Sequence, residues 1–226
     1  MSGYDFTVRT KQDMVDAVQA FGFLPFFAGP VRGFSLEEHA AADVWYSDAG
    51  WKVWDWKGPV IRESGCAYGK FFGNKAVFVS AEWFPDLANW RRDGYDFDAR
   101  YDDGLATRRE KDLYDLLAAS APVTSRTLKA AGNYLRGGRK GFDTTIARLQ
   151  AQGYVIISDF VYAANRHGRP YGWGIAEYST PEIFFGEGFA ERAYRRSPEE
   201  SFRRILDHVL GLFPDAEEET VRRYLR

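Results

Sequence analysis

The chain has one cysteine, two methionines and three histidines among its 226 residues, and each scarcity closes off a class of chemistry. With Cys66 alone there is no internal disulfide and no multi-cysteine metal site. A lone thiol suits a reducing cytoplasm, and its ordinary role is that of a small buried hydrophobe. His39, His167 and His208 lie far apart and form no HExxH or paired zinc motif, so no metal is expected. No apolar run reaches the roughly 18 residues of a membrane span. The start, MSGYDFTVRTKQ, lacks the apolar stretch of a secretory signal. The expectation is a cytoplasmic protein with no membrane partner. There is no GxxxxGK[ST] phosphate loop, no complete dinucleotide fingerprint around Gly172-Trp173-Gly174 and no nucleophile-elbow sequence, so no cofactor is expected either.

Strong charge of one sign is also missing. The net charge is −2, which excludes a polycation. Distribution matters more than the total. Between residues 121 and 150 stand Arg126, Lys129, Arg136, Arg139, Lys140 and Arg148 against Asp143 alone, a local balance of +5. Acid collects at Asp93–Asp103 and Asp215–Glu219. The pattern fits nucleic acid on one face, and it equally fits a solvated surface.

What is abundant is apolar and aromatic: 45% of residues are hydrophobic and 17% are Phe, Trp or Tyr, enough for a sizeable core. Thr10 with Asp13 reads as a capping box that opens a helix through about Phe21. Ser35 with Glu38 opens a second, running toward Trp45. Ser47 to Gly50 is a turn, and WKVWDWKGPVIRE is a short amphipathic segment with a break near Gly58-Pro59. CAYGKFF and KAVFVS, separated by Gly73-Asn74, predict a hairpin. Ser80 is expected to cap the helix AEWFPDLANWRRD. Residues 93–109 are polar and rich in Gly and Asp, and are read as a linker. Asp96, Asp98, Asp102 and Asp103 match no calcium-loop spacing and take loop and capping roles.

The second half repeats the order of elements. KDLYDLLAAS is a helix, and Thr124 caps the next, with Val123 and Leu128 at hydrophobic-staple spacing. Asn133 to Gly141 is a basic, glycine-rich turn. In FDTTIARLQAQGYV, Phe142, Ile146 and Leu149 share one helical face, Asp143 is placed to cap the start, and Gly153 to close the end. YVIISDFVY and YGWGIAEYS are strands joined by AANRHGRP, and SPEESFRRILDHVLGLF and EEETVRRYLR are closing helices.

The fold class expected is therefore α+β. Two tandem winged helix-turn-helix modules with small β-hairpins are followed by a C-terminal helical pair. The modules span 1–95, rich in aromatics, and 104–196, with a recognition helix at about 143–152 and a wing at about 154–179; the helices fill 197–226. In such a module the third helix enters the major groove and the wing presses on the backbone. Thr144, Thr145 and Arg148 then suit phosphates and base edges. Arg126, Lys129, Arg136, Arg139 and Lys140 suit phosphates, and Arg166, His167 and Arg169 stand at the wing tip. DNA is the first partner expected and RNA the second. Nothing in the pattern sets an oligomeric state.

The tryptophans and phenylalanines of the first half (Trp45, Trp51, Trp54, Trp56, Phe71, Phe72, Trp83, Phe84, Trp90) read chiefly as core. Lys57 and Lys70 beside them keep open a stacking slot for a base or a small-ligand pocket.

RLQAQGYV, at a helix-to-strand junction in a chain with two successive winged-helix patterns, resembles the AlkZ/YcaQ group of winged-helix proteins, bacterial DNA glycosylases with a Gln-x-Gln or Gln-x-Asp motif. WDWKGPVIRESGCAYGKFFGNKAVFVSAEWFPDL resembles the AlkZ-related bacterial proteins, and that likeness runs over nearly the whole chain. The first resemblance implies Gln150 and Gln152 as catalytic residues acting on a purine alkylated at a ring nitrogen. Such a base is already a good leaving group, so a neutral Gln carbonyl orienting the water suffices. Spacing pulls the other way: residues two apart share a face in a strand and diverge by about 200° in a helix. The alternative function on the same fold is a non-catalytic module that binds a protein or a small ligand.

Overall fold

The computed structural model describes residues 6–45, 52–164, 166 and 170–226. The expected turn at Ser47–Gly50, Trp51, and the two wing-tip residues His167 and Arg169 lie outside the described residues.

The first half runs α1 (Lys11–Phe21), β1 (Phe23–Pro25), α2 (Leu36–His39), α3 (Ala42–Trp45), α4 (Lys57–Ser64), β2 (Ala67–Phe72) and β3 (Lys75–Val79). The Thr10–Asp13 capping box forms as the spacing predicts. Ser35 accepts the Glu38 N–H, but its helix lasts a single turn before Ala40 turns extended and α3 restarts at Ala42. Gly73 and Asn74 both take positive φ, 51° and 63°, the backbone that matches the twist of a two-residue hairpin. No break occurs at Gly58-Pro59, which fall in the first turn of α4 instead. A proline costs little there because its N–H would have no helical partner. Glycine at 58 has a packing reason: a Cβ would sit 2.7 Å from Asp159 Oδ1 on the strand that α4 covers.

Next come α5 (Phe84–Arg92), α6 (Phe97–Asp102) and α7 (Arg108–Ala118). Ser80 does not cap α5. Its carbonyl accepts the N–H groups of Trp83 and Phe84, and the helix starts beyond it. The segment expected as a linker holds a helix. Asp96 caps α6 by accepting the Ala99 N–H at 2.8 Å, and the buried Phe97 ring stacks on Tyr114 at 4.1 Å.

The second half continues with β4 (Val123–Thr124), α8 (Ser125–Ala131), α9 (Phe142–Ala151), β5 (Ile156–Ala164) and β6 (Pro170–Ser179). Two short helices that the periodicity does not announce follow, α10 (Pro181–Phe185) and α11 (Phe189–Ala193). Then come α12 (Pro198–Leu212), with a Ser197–Glu200 capping box, and α13 (Glu218–Leu225).

The strands do not form two small separate sheets. They build one six-stranded antiparallel sheet in the order β1-β3-β2-β5-β6-β4, joined at its centre where Tyr68 faces Ile157. Each half contributes three strands, with its short first strand at the outer edge. The helix that precedes the hairpin in each half crosses over: α4 packs on β5 and α9 on β2. The C-terminal helices close over the first half. Phe213 stacks on Phe21 at 5.8 Å, and Arg91 donates to the carbonyls of Phe71 and Leu225.

Cys66, the residue before β2, is fully buried, and burial pushes its thiol up to about 12. The thiolate needed for alkylation is therefore missing at neutral pH. Iodoacetamide is expected to label native protein at least about 100-fold more slowly than urea-unfolded protein. Equal rates would contradict the burial. Among the described residues no helix is long and apolar enough to cross a membrane, and no cluster of His, Cys, Asp or Glu could hold a metal.

Candidate nucleic-acid interface

Helix α9 is held on three sides. Phe142, Ile146 and Leu149 form its buried face as their spacing predicts. Its start is not capped by Asp143. The N-cap is Gly141 at φ 92°, without a side-chain bond, and Asp143 instead pairs with Lys129 at 2.9 Å. Only Asp143, Thr144 and Arg148 of the helix are exposed. Thr145 is buried and donates to the Gly141 carbonyl at 2.9 Å, so it is not presented to bases. Arg148 Nε lies 3.0 Å from Glu110 Oε1, a carboxylate only 2% exposed. Glu110 is fixed there by its capping box with Thr107, so α7 supplies the acid that tethers α9.

The +5 segment is partly neutralised in the same way. Arg139 binds Asp112 at 2.9 Å, and Arg108 binds its other oxygen at 2.7 Å. These two cations, Arg139 foremost, hold the Asp112 carboxyl below the ordinary carboxylate value. Arg126, Arg136 and Lys140 are exposed and have no acidic partner among the described residues. Thr144 is exposed beside them in chain order. Arg109, which no sequence signal marked, joins them: its guanidinium lies 2.9 Å from where a Gly141 Cβ would be.

The two glutamines diverge. Gln150 is 2% exposed; its Oε1 accepts the Lys70 N–H at 3.1 Å and its Nε2 donates to the Ile146 carbonyl at 3.3 Å. It fastens α9 to β2. Gln152 is the C-cap of α9, and its Oε1 is buried with no hydrogen-bond partner among the described residues. Gly153 then turns left-handed at φ 76° and the strand begins. The helix reaches far enough to separate the pair, and the Gln150 carbonyl is engaged with backbone instead of open to water.

On the hairpin, Arg166 is exposed. Phe160 and Tyr162 turn toward α4, and the alternation of strand side chains sends Val161 and its partner Ile175 to the other face. Val161 is 40% exposed there, and Trp173, in the same alternation, is 87% exposed. The first-half aromatics are chiefly core: Trp45, Phe71, Phe72 and Phe84 are buried. Trp56, Trp83 and Trp90 pack against that core, and Trp54 is the exception, 37% exposed beside the equally exposed Phe27.

Comparison with curated proteins and with solved structures found no match. A family model described as "AlkZ related" matches residues 8–226, nearly the full length. The chain belongs to the AlkZ-related family.

Proposed function

We propose that the protein binds nucleic acid, with DNA as the preferred partner, on two winged helix-turn-helix modules fused through one sheet. Element order supports the modules. α1, β1, α2–α3, α4, β2, β3 and α7, β4, α8, α9, β5, β6 run in the same sequence, and in each half the first strand pairs with the last. The family supports a nucleic-acid role. The observation that carries the contact surface is the exposed trio Arg126, Arg136 and Lys140 around the turn into α9, with Thr144 at its start. The pairs of Arg139 and Lys129 are surface pairs worth about 0–1 kcal/mol, so a phosphate can replace their acids. Direct readout by α9 is confined to Thr144 and Arg148, and most of the affinity would come from the backbone. A glycosylase acting on ring-alkylated purines would have to orient its water with a group other than the engaged Gln150 carbonyl.

Affinity for a DNA duplex should fall steeply with salt. Arg136→Gln with Lys140→Gln should weaken it about tenfold and flatten the salt slope by about two counterions. Binding that ignores salt, or that the double variant leaves unchanged, removes this surface. RNA duplex of the same length serves as the competitor, since its deep narrow major groove excludes a helix. A second reading, a protein-interaction module, is favoured by Trp173 and Val161 on the hairpin. Apolar docking of that kind would be insensitive to salt.

A further inference from the structure

Lys57 opens α4, where the positive end of the helix dipole disfavours a cation. Its ammonium nitrogen lies 4.5 Å from the centre of the Phe160 ring, 5.6 Å from Trp54 and 5.9 Å from Phe26. Phe26 is itself fully packed by Phe27 at 5.2 Å and Trp45 at 5.3 Å. Lys57 forms no ion pair within 4.0 Å among the described residues, and Asp55 is the carboxylate whose charge acts on it. The nest is open on one side, where Trp54 and Phe27 are each 37% exposed with ring centres 5.7 Å apart. A half-buried lysine set among aromatic rings, without an ion pair among the described residues, gains little stability from its charge.

The geometry points to Lys57 as an amine nucleophile that forms an imine with an aldehyde. Given nucleic-acid binding, on which this half of the inference rests, the matching aldehyde is the ring-opened sugar of an abasic site; a free small aldehyde offers the same chemistry. In the step, the Nζ lone pair attacks the carbonyl carbon and the carbonyl oxygen takes a proton. The resulting carbinolamine loses water, its hydroxyl leaving with the remaining amine proton, and a C=N bond forms. No oxidant or reductant is needed. The step requires a neutral amine. Burial lowers the Lys57 pKa from the ordinary lysine value, opposed by the charge of Asp55. The rings offset part of this by favouring the cation. Around the nest stand Asp55 and, on β5, Asp159 bound to Arg62 and Tyr162, whose hydroxyl lies 3.5 Å from Asp55. From α1, Lys11 pairs with Glu63 and Gln19 donates to the Ser64 carbonyl, both at the far end of α4.

Sodium borohydride reduces an imine to a stable amine, which gives the test. The protein is mixed with a duplex carrying one abasic site, and separately with pyridoxal phosphate, each with borohydride at neutral pH, and adducts are mapped by peptide mass. Labelling at Lys57 should exceed that at the exposed Lys70 at least tenfold, and Lys57→Met should lose the adduct while still binding intact duplex. Adduct with the abasic duplex identifies the sugar aldehyde; adduct with pyridoxal phosphate alone identifies a small aldehyde. Labelling spread evenly over lysines in the wild type, or an undiminished adduct in Lys57→Met, overturns the proposal. Wild-type protein that is labelled at Lys57 by pyridoxal phosphate but does not bind intact duplex would sink the nucleic-acid reading and leave this one standing.

Discussion

Arg92→Met is expected to lower stability by roughly 3–5 kcal/mol, the cost of removing one partner from a buried polar network. The residue ends α5 and is 1% exposed. Its Nε and Nη2 donate to the Gly153 carbonyl at 3.2 and 2.8 Å. Nη1 donates to Tyr194 Oη at 3.0 Å and to Glu182 Oε1 at 2.6 Å. The guanidinium also lies over the Tyr154 ring at 4.7 Å. One side chain thus ties α5 to the turn between α9 and β5 and to α10 and α11. Methionine fills much of the volume, so the cavity term is small and the loss falls on stranded acceptors. The Gly153 carbonyl has no substitute donor among the described residues. The Glu182 side chain is 40% exposed and rehydrates, which moves the expected value toward the lower end. Arg92→Lys should recover only part, because an ammonium cannot reproduce the planar fork. Urea unfolding measures this as a shift of midpoint at constant slope. A shift worth under about 1 kcal/mol would mean that the network is not coupled as drawn.

That network marks the boundary of what the sequence could tell. Local chemistry was legible: the Gly73-Asn74 turn, the capping box at Thr10, the Thr124 cap and the left-handed Gly153 each depend on residues a few positions apart. The single sheet was not. It rests on the pairing of Tyr68 with Ile157, and neither strand carries a mark that selects the other as neighbour. The break between α2 and α3 was missed because Ala40 is a good helix former whose extended backbone is set by tertiary packing.

The candidate interface divides the same way. Counting charge over 121–150 gave +5, but Glu110 and Asp112 lie just outside that window and fold back onto Arg148 and Arg139. Periodicity identified the buried face of α9 through Phe142, Ile146 and Leu149. It could not reveal that β2 covers a further face and takes Gln150 with it, or that Thr145 is buried as well. The exposed Trp173 was passed over because Gly-Trp-Gly was weighed only as a failed nucleotide fingerprint.

Gln150 and Gln152 should respond to substitution in opposite ways, which separates a structural role from a catalytic one. Gln150→Leu keeps the volume but strands the Lys70 N–H inside the joint between α9 and β2. An unsatisfied buried donor costs about 1–3 kcal/mol, and the joint holds the two halves together, so a loss of about 2 kcal/mol is expected. Gly69 permits this close approach: a Cβ there would lie 3.2 Å from the Gln150 Oε1. Gln152 presents the reverse case. Its Oε1 is already buried without a partner among the described residues. Replacing an unsatisfied acceptor removes a desolvation penalty, so Gln152→Met should be neutral or stabilising, within about 0.5 kcal/mol of zero on the unfavourable side. A catalytic pair would behave otherwise. Both substitutions would abolish base release from DNA carrying alkylated purines, and both would leave the unfolding midpoint in place. Thermal or urea unfolding of the two variants, run beside an assay for abasic sites, distinguishes the outcomes. A fully stable Gln150→Leu protein would overturn the fastening role of the bond from the Lys70 amide to Gln150.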